Sequence, residues 1–228
     1  MEIKTIASGS KGNAHLVTIG ETTLLLDAGV PFKEIQAATG YNTSKITACL
    51  VTHRHGDHSK AIPQLIKRGI QVYAPSDVAE KYPGVMYIFE KTKITLGGIT
   101  ITPFYVPHDV PCFGWQLFSA ATDEKLIYIV DAEYVPYLFT NITHLMIEAN
   151  HSREKVMERA KEGKISMKLA ERIIKSHMSI EAAMTFIRKN DMSRIKEIHL
   201  LHLSDDNSHA ADFKRQVQEE TGAEVYVC

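Results

Sequence analysis

The sequence predicts an α/β protein of the four-layer αββα sandwich class, with two sheets face to face and helices on both outer faces. Three observations predict it. Residues 2–148 run as short β-branched stretches bounded by Gly, Pro, Asn and Asp, which is how strands and turns read. After Asn150 the apolar residues take up helical spacing, interrupted by one further strand. At 228 residues and 44% hydrophobic content, the chain can build one sizeable core. A doubly wound parallel sheet would fit the same periodicity. No GxGxxG or Walker-type loop supports it, because Ser8-Gly9-Ser10-Lys11-Gly12-Asn13 has neither spacing.

The elements follow in order. Strands are expected at 3–7, 15–19 and 23–27, with Gly20-Glu21 turning the chain between the second and third. A helix at 32–39 leads to an apolar strand at 48–52, then a helix at 61–68, a strand at 71–74 and a helix at 75–81. Strands at 85–89, 99–106, 114–119, 125–130 and 145–148 complete the strand-rich part, with hairpin signals at Gly97-Gly98 and Asp123-Glu124. Helices are expected at 153–162, 167–175 and 180–189; Ser179 suits the cap of the last, and Glu181 in its first turn complements the helix dipole. A strand at 197–202 and a helix at 210–221 close the chain. No repeat, low-complexity tract or Ser/Gly/Pro-rich linker marks a boundary, so residues 1–228 read as a single domain.

Charge and cysteine usage narrow the function classes. Lys+Arg 26 against Asp+Glu 27 leaves a net charge of −1, so there is no basic coat and a polyanion would have to be gripped locally. Cys49, Cys112 and Cys228 form no CxxC pair, which favours a reducing compartment. The first residues carry no apolar signal core, and no run approaches the ~20 apolar residues of a membrane span. The chain reads as cytoplasmic, with no membrane partner.

The strongest motif is Thr52-His53-Arg54-His55-Gly56-Asp57-His58, three imidazoles and a carboxylate within six residues, just after an apolar strand. His53 and His55 point to one side by strand alternation, and the turn at Gly56 brings Asp57 and His58 to a neighbouring point. Imidazole nitrogen with carboxylate oxygen suits Zn2+, Mn2+ or Fe. A loop of solvated histidines is the plain alternative.

This motif resembles the metallo-β-lactamase fold superfamily, and the resemblance covers nearly the whole chain: Asp27 in Leu-Asp-Ala-Gly, the His53 to His58 run, His108 in Val-Pro-His-Asp, Asp131 in Ile-Val-Asp and His202 in Leu-Leu-His-Leu. It implies one metal on His53, His55 and His108, a second on Asp57, His58 and His202, and Asp131 bridging them. Asp27 would instead support the ligand loop by accepting hydrogen bonds. Two such ions would activate a water as hydroxide and neutralise phosphate oxygens. The implied cofactor is a pair of divalent ions, Zn2+ or Mn2+.

The segments around Glu148, Ser176-His177-Met178-Ser179 and His202, with the Ser8 to Asn13 loop, resemble the YycJ/WalJ-like branch of cytosolic nucleases and, more distantly, RNase Z. The resemblance implies Asp57, His177 and Glu148 as catalytic residues, with His177 as general acid oriented by Glu148. Ser179, Ser10 and Asn13 would bind substrate, Ser179 with the free N–H groups of its helix start. His151 either supports the site or faces solvent from a loop. Departures from the branch's Thr-Asp-x-Gly and Gly-His-Leu-Ser-Asn forms remove no proposed metal donor. Residues 153–175 carry eight basic and four acidic groups, a basic flank or an ordinary solvated face. Tyr105, Phe113, Trp115 and Tyr134 flank His108 and Asp131 and would stack a base or pack the core.

The implied function is a dinuclear phosphodiesterase, foremost a DNA or RNA nuclease, with nucleic acid or a nucleotide-type diester as partner; homodimerisation is allowed. The alternatives are a small-molecule phosphodiesterase, a thioesterase or lactonase, and a catalytically silent metal-binding module.

Overall fold

A computed structural model describes residues 1–204 and 206–228. Its strands lie in two mixed sheets, β1 to β6 in one and β7 to β13 in the other, flanked by helices. By internal packing the chain divides into two compact units, residues 1–105 with 110–124, and residues 106–109 with 125–228.

In the first unit, β1 (Glu2–Ala7), β2 (Ala14–Ile19) and β3 (Thr22–Leu26) pair antiparallel as the turn signals demand. From β3 the sheet becomes parallel through β4 (Ile46–Leu50), β5 (Gln71–Ala74) and β6 (Met86–Tyr87). The connections are helical: α1 (Phe32–Ala38), then α2 (Gly56–Ser59) with α3 (Ile62–Lys67), then α4 (Ser76–Lys81). Cys49 and Val51 on β4 and its extension, with Val72 and Ala74 on β5, take alternate positions and pack with Ile35, Ile62, Leu65 and Val78 of the helices. β7 (Ile94–Leu96) and β8 (Ile99–Val106) form the hairpin expected at Gly97-Gly98, and β9 (Cys112–Ser119) follows.

Parallel β3 and β4 end side by side, Leu26 opposite Leu50. Everything placed just after these two residues is therefore brought together, which is where α/β sheets build their sites.

In the second unit, β10 (Glu124–Ile129), β11 (His144–Glu148), β12 (Glu197–Leu201) and β13 (Glu224–Val227) are all parallel. β11 is buried at every position, as a central parallel strand must be. Helices α5 (Arg153–Lys161), α6 (Met167–Ser176) and α7 (Ile180–Lys189) start on serine caps, Ser152, Ser166 and Ser179, whose hydroxyls accept the N–H three residues on. α8 (Ala210–Thr221) ends on Gly222 at φ 67°, a left-handed stop that glycine takes without steric cost.

Four short elements have no signal of their own in the sequence: β7, β13, α2 and the 3-10 helix Thr43–Lys45, each of three or four residues, too few for a period to register. Of the aromatics offered as base platforms, Trp115 and Phe113 are core residues, and Tyr134 is 52% exposed.

Candidate metal centre

The ends of the parallel strands carry backbone strain. Asp27 follows β3 with φ 57°, Asp131 follows β10 with φ 50° and His202 follows β12 with φ 56°. A left-handed conformation costs a non-glycine residue roughly 1–2 kcal/mol, and such strain collects where a side chain must be aimed. All three positions belong to motifs that the sequence singled out.

In the first unit the HxHxDH run lies directly after β4. Thr52 donates its N–H and its hydroxyl to Asp27 Oδ1, at 2.8 and 3.0 Å, and His58 Nδ1 lies 2.9 Å from Asp27 Oδ2. Asp27 is fully buried, so these bonds compensate its lost hydration and hold the loop. The Thr52 hydroxyl also reaches His53 Nδ1 at 2.9 Å, and Nε2 of that ring lies 3.0 Å from His55 Nδ1. Two imidazole nitrogens converging this closely suit a shared cation. His58 lies 4.2 Å from His53, ring to ring, and its Nε2 sits 3.8 Å from Asp57 Oδ2.

The same loop is woven into its neighbours through main chain. Asn13 N donates to Asp57 O, Ala28 N to His58 O and Gly29 N to Asn13 O. A Cβ on Gly29 would stand 1.5 Å from Asp57 O, so only glycine permits the approach. Asn13 is fully buried; its Nδ2 donates to His58 Nε2 at 3.0 Å and its Oδ1 accepts Gly9 N. Ser10 is exposed and lines an open depression of about 460 Å³ with Lys11, Asp57, Lys60 and Tyr82.

In the second unit Glu148, at the buried end of β11, is the hub. Its Oε1 lies 2.7 Å from His177 Nδ1 and 3.1 Å from His202 Nδ1, while Oε2 accepts Ala132 N and Met178 N. Asp131 Oδ1 is 2.7 Å from the same nitrogen of His202 and 3.3 Å from His177 Nδ1. One donor atom from each of Asp131, Glu148, His177 and His202 falls within 4.8 Å of the others, a set able to hold a divalent cation.

Burial opposes charge on His177, but the Glu148 carboxylate and the hydrogen bonds to Asp131 and Glu148 outweigh it and push its pKa up to about 10. Burial likewise opposes charge on His202, where Asp131 followed by Glu148 prevails and the pKa rises to about 9. Glu148 is itself burdened by burial, and the His177 charge and the two imidazole hydrogen bonds hold its carboxyl below the usual range.

His108 lies in this unit with Nε2 3.0 Å from Asp109 Oδ1, and Pro107 O accepts Glu133 N from the segment after Asp131. Ser179 is buried, its hydroxyl accepting Ala182 N at 3.2 Å as the cap of α7.

Two further side chains, Thr52 and Asn150, hold the site together. Thr52 ties Asp27 to both His53 and His58. Asn150 Nδ2 donates to His202 O at 2.7 Å and so fixes the strained turn. Thr52 opens the motif that ends at His58, and Asn150 stands two residues after Glu148, the one signal the sequence offers for each. His151 is fully buried, not solvent-facing, and burial lowers its pKa to about 4.

Residues 22–200 match the family described as Beta-lactamase superfamily domain. The chain belongs to this superfamily. Among curated members it is 31% identical over 225 residues to Exodeoxyribonuclease WalJ of Streptococcus pneumoniae serotype 2 (strain D39 / NCTC 7466), covering 89% of this chain and 81% of that one. To Exodeoxyribonuclease YycJ of Bacillus anthracis it is 29% identical over 227 residues, covering 91% and 84%. Among solved superfamily structures, the metallo-beta-lactamase fold protein YhfI from Bacillus subtilis matches with a TM-score of 0.75 at 19% identity, over 99% of this chain and 95% of that one. The α/β sandwich of the metallo-β-lactamase fold is therefore the fold of this superfamily member, as expected.

Proposed function

We propose that the chain is a divalent-metal-dependent hydrolase of phosphodiester bonds, and within that class a nuclease acting on DNA or RNA. The observation that carries it is His177, held at 2.7 Å by the buried Glu148 beside Asp131 and His202. It supplies a proton donor beside Asp131 and His202, two of the assigned metal ligands, as cleavage of a phosphodiester with a poor leaving group requires. The relatives named exodeoxyribonucleases, at 29–31% identity, support the same class.

The ligand assignment rests on superfamily membership and on the donor chemistry of each cluster: His53, His55 and His108 for one ion, Asp57, His58 and His202 for a second, Asp131 shared, with Zn2+ or Mn2+ as the metals. The converging nitrogens of His53 and His55 fit that assignment. When bound, such ions acidify a water and neutralise phosphate oxygens.

The chain's own residues then do the following. Glu148 keeps His177 charged near neutrality and occupies its Nδ1, which leaves the Nε2 proton for the departing oxygen. Asp27 and Thr52 orient the His53 and His58 rings. Ser10, with Lys11 and Lys60 around the Asp57 depression, is placed to meet phosphate oxygens. Asn13 and Ser179, which we also assign to the substrate pocket, act there through the His58 ring and the α7 start respectively.

A polymer is favoured over a compact diester by α6, whose exposed Lys168, Arg172 and Lys175 recur at spacings of four and three along one face and lead straight into His177. Among the described residues no helix is long and apolar enough to cross a membrane. We assign the protein to the cytoplasm and read residues 1–228 as one hydrolase domain.

The test is metal analysis followed by end-labelled cleavage assays on single- and double-stranded DNA, RNA and cyclic nucleotides. Degradation of an oligonucleotide that EDTA abolishes is expected. Hydrolysis confined to cyclic nucleotides, thioesters or lactones, or none at all with metals loaded, overturns the nuclease reading.

A further inference from the structure

The second unit contains a cavity of about 320 Å³ that the chemistry above does not use. Its apolar lining is Tyr134, Tyr137, Leu138 and Phe186, and Arg153 and Lys189 flank it. Chain connectivity ties it to the Glu148 cluster. Tyr134 stands three residues after Asp131, and α7, which supplies Phe186 and Lys189, begins two residues beyond Met178, whose N–H binds Glu148.

The walls are preformed. The segment between β10 and β11 is pinned onto the end of α7, with Phe139 N donating to Asn190 Oδ1 at 2.6 Å and Asn141 N to Asp191 Oδ2 at 3.2 Å. The Phe139 and Phe186 rings pack 6.1 Å apart behind it.

At the mouth, Tyr134 is 52% and Leu138 72% exposed, so aromatic and apolar surface stands open beside two cations. The Arg153 and Lys189 heads are exposed and form no ion pair among the described residues. Glu181 also lines the cavity, but its carboxylate already accepts Ser152 Oγ and Arg153 N. Two cations to one engaged anion leave the rim positive.

An aromatic slot with a positive rim matches a base with its flanking phosphates. The volume lies at the lower end of small-ligand sites, room for about one nucleotide. We propose that this cavity is a nucleotide subsite for the substrate strand, in which Tyr134 and Tyr137 stack a nucleobase while Arg153 and Lys189 hold the adjacent phosphates. The proposal rests on the phosphodiesterase reading and deepens it, since a polymer with bases, rather than an isolated diester, is what this slot recognises.

The experiment uses the full chain and a fluorescein-labelled oligothymidylate of about twelve nucleotides, with anisotropy recorded in EDTA so that binding is read without turnover. Tyr134→Ala raises the oligonucleotide Kd by roughly 5- to 100-fold, the loss of one base–aromatic stack, and Tyr134→Phe restores it. Arg153→Ala with Lys189→Ala lowers the slope of log Kd against log salt by about one to two phosphates. Because Tyr134, Arg153 and Lys189 are exposed, their replacement leaves folding intact, checked by circular dichroism. A Kd unchanged in both variants, or a wild type that does not bind the oligonucleotide, overturns the subsite. Hydrolysis of bis(p-nitrophenyl) phosphate by the Mn2+-loaded wild type separates the two readings: its presence with unchanged Kd values sinks the subsite alone, and its absence together with absent oligonucleotide cleavage sinks the phosphodiesterase reading as well.

Discussion

Glu148 Oε1 lies 2.7 Å from His177 Nδ1, a carboxylate buried at a strand end holding an imidazole that is one quarter exposed. The pairing keeps a proton on a ring that burial alone would strip, and it does so next to Asp131 and His202. A general acid must be protonated at working pH, and in the role proposed for His177 this contact would keep it so.

His177→Ala is expected to slow diester cleavage by about 10²–10⁴ while metal content, read by mass spectrometry, stays near wild type. Asp57→Ala and His58→Ala should instead lose metal together with turnover. Equal metal loss in all three variants would overturn the separation of roles.

Stability of the EDTA-treated protein should fall as pH rises. The folded pKa of His177, about 10, exceeds its unfolded value of 6.5, so its contribution is complete below pH 6.5 and is lost as pH climbs through about 10. His202, at about 9, acts in the same sense. Urea midpoints at pH 6, 8 and 10 measure the slope, and His177→Gln should flatten it; a slope identical to wild type refutes the linkage.

Gly29→Ala should destabilise by about 2–3 kcal/mol or more, because the new Cβ meets main chain, Asp57 O at 1.5 Å, which no rotamer change can relieve. The displaced loop carries Asp57 and His58, so metal affinity drops with it. Denaturant titration checks the first effect and competition with a chelator dye the second.

Thr52→Val removes the hydroxyl shared by Asp27, His53 and His58 and leaves the buried Asp27 carboxylate short of a donor and the His53 ring N–H short of an acceptor, at a cost of about 1–3 kcal/mol. Thr52→Ser keeps the hydroxyl and should recover most of it. If the serine variant is as unstable as the valine variant, the methyl group rather than the hydrogen bonds matters.

Much of this protein is legible in its sequence. Strand periodicity with Gly and Asp punctuation marked the long elements, and three donors at alternating spacing after an apolar strand marked His53, His55 and Asp57, because both signals are local. Elements of three or four residues such as β7 and β13 escaped, having no period to read. Asn13 and Ser179 are also buried, Asn13 on His58, 45 residues along the chain, and Ser179 on Ala182, and the first of these contacts has no local signal.

What the sequence by itself determined, then, is the kind of atoms available and the strand ends from which they project. Only the tertiary structure decided which nitrogen meets which oxygen. Glu148 reaches His202 across 54 residues of chain, and Asp131 and His202 adopt left-handed turns that no local preference would choose. Those choices pit roughly 1–2 kcal/mol of backbone strain per residue against the cost of leaving a buried carboxylate or imidazole unsatisfied, and that balance exists only once the parallel strands are packed side by side.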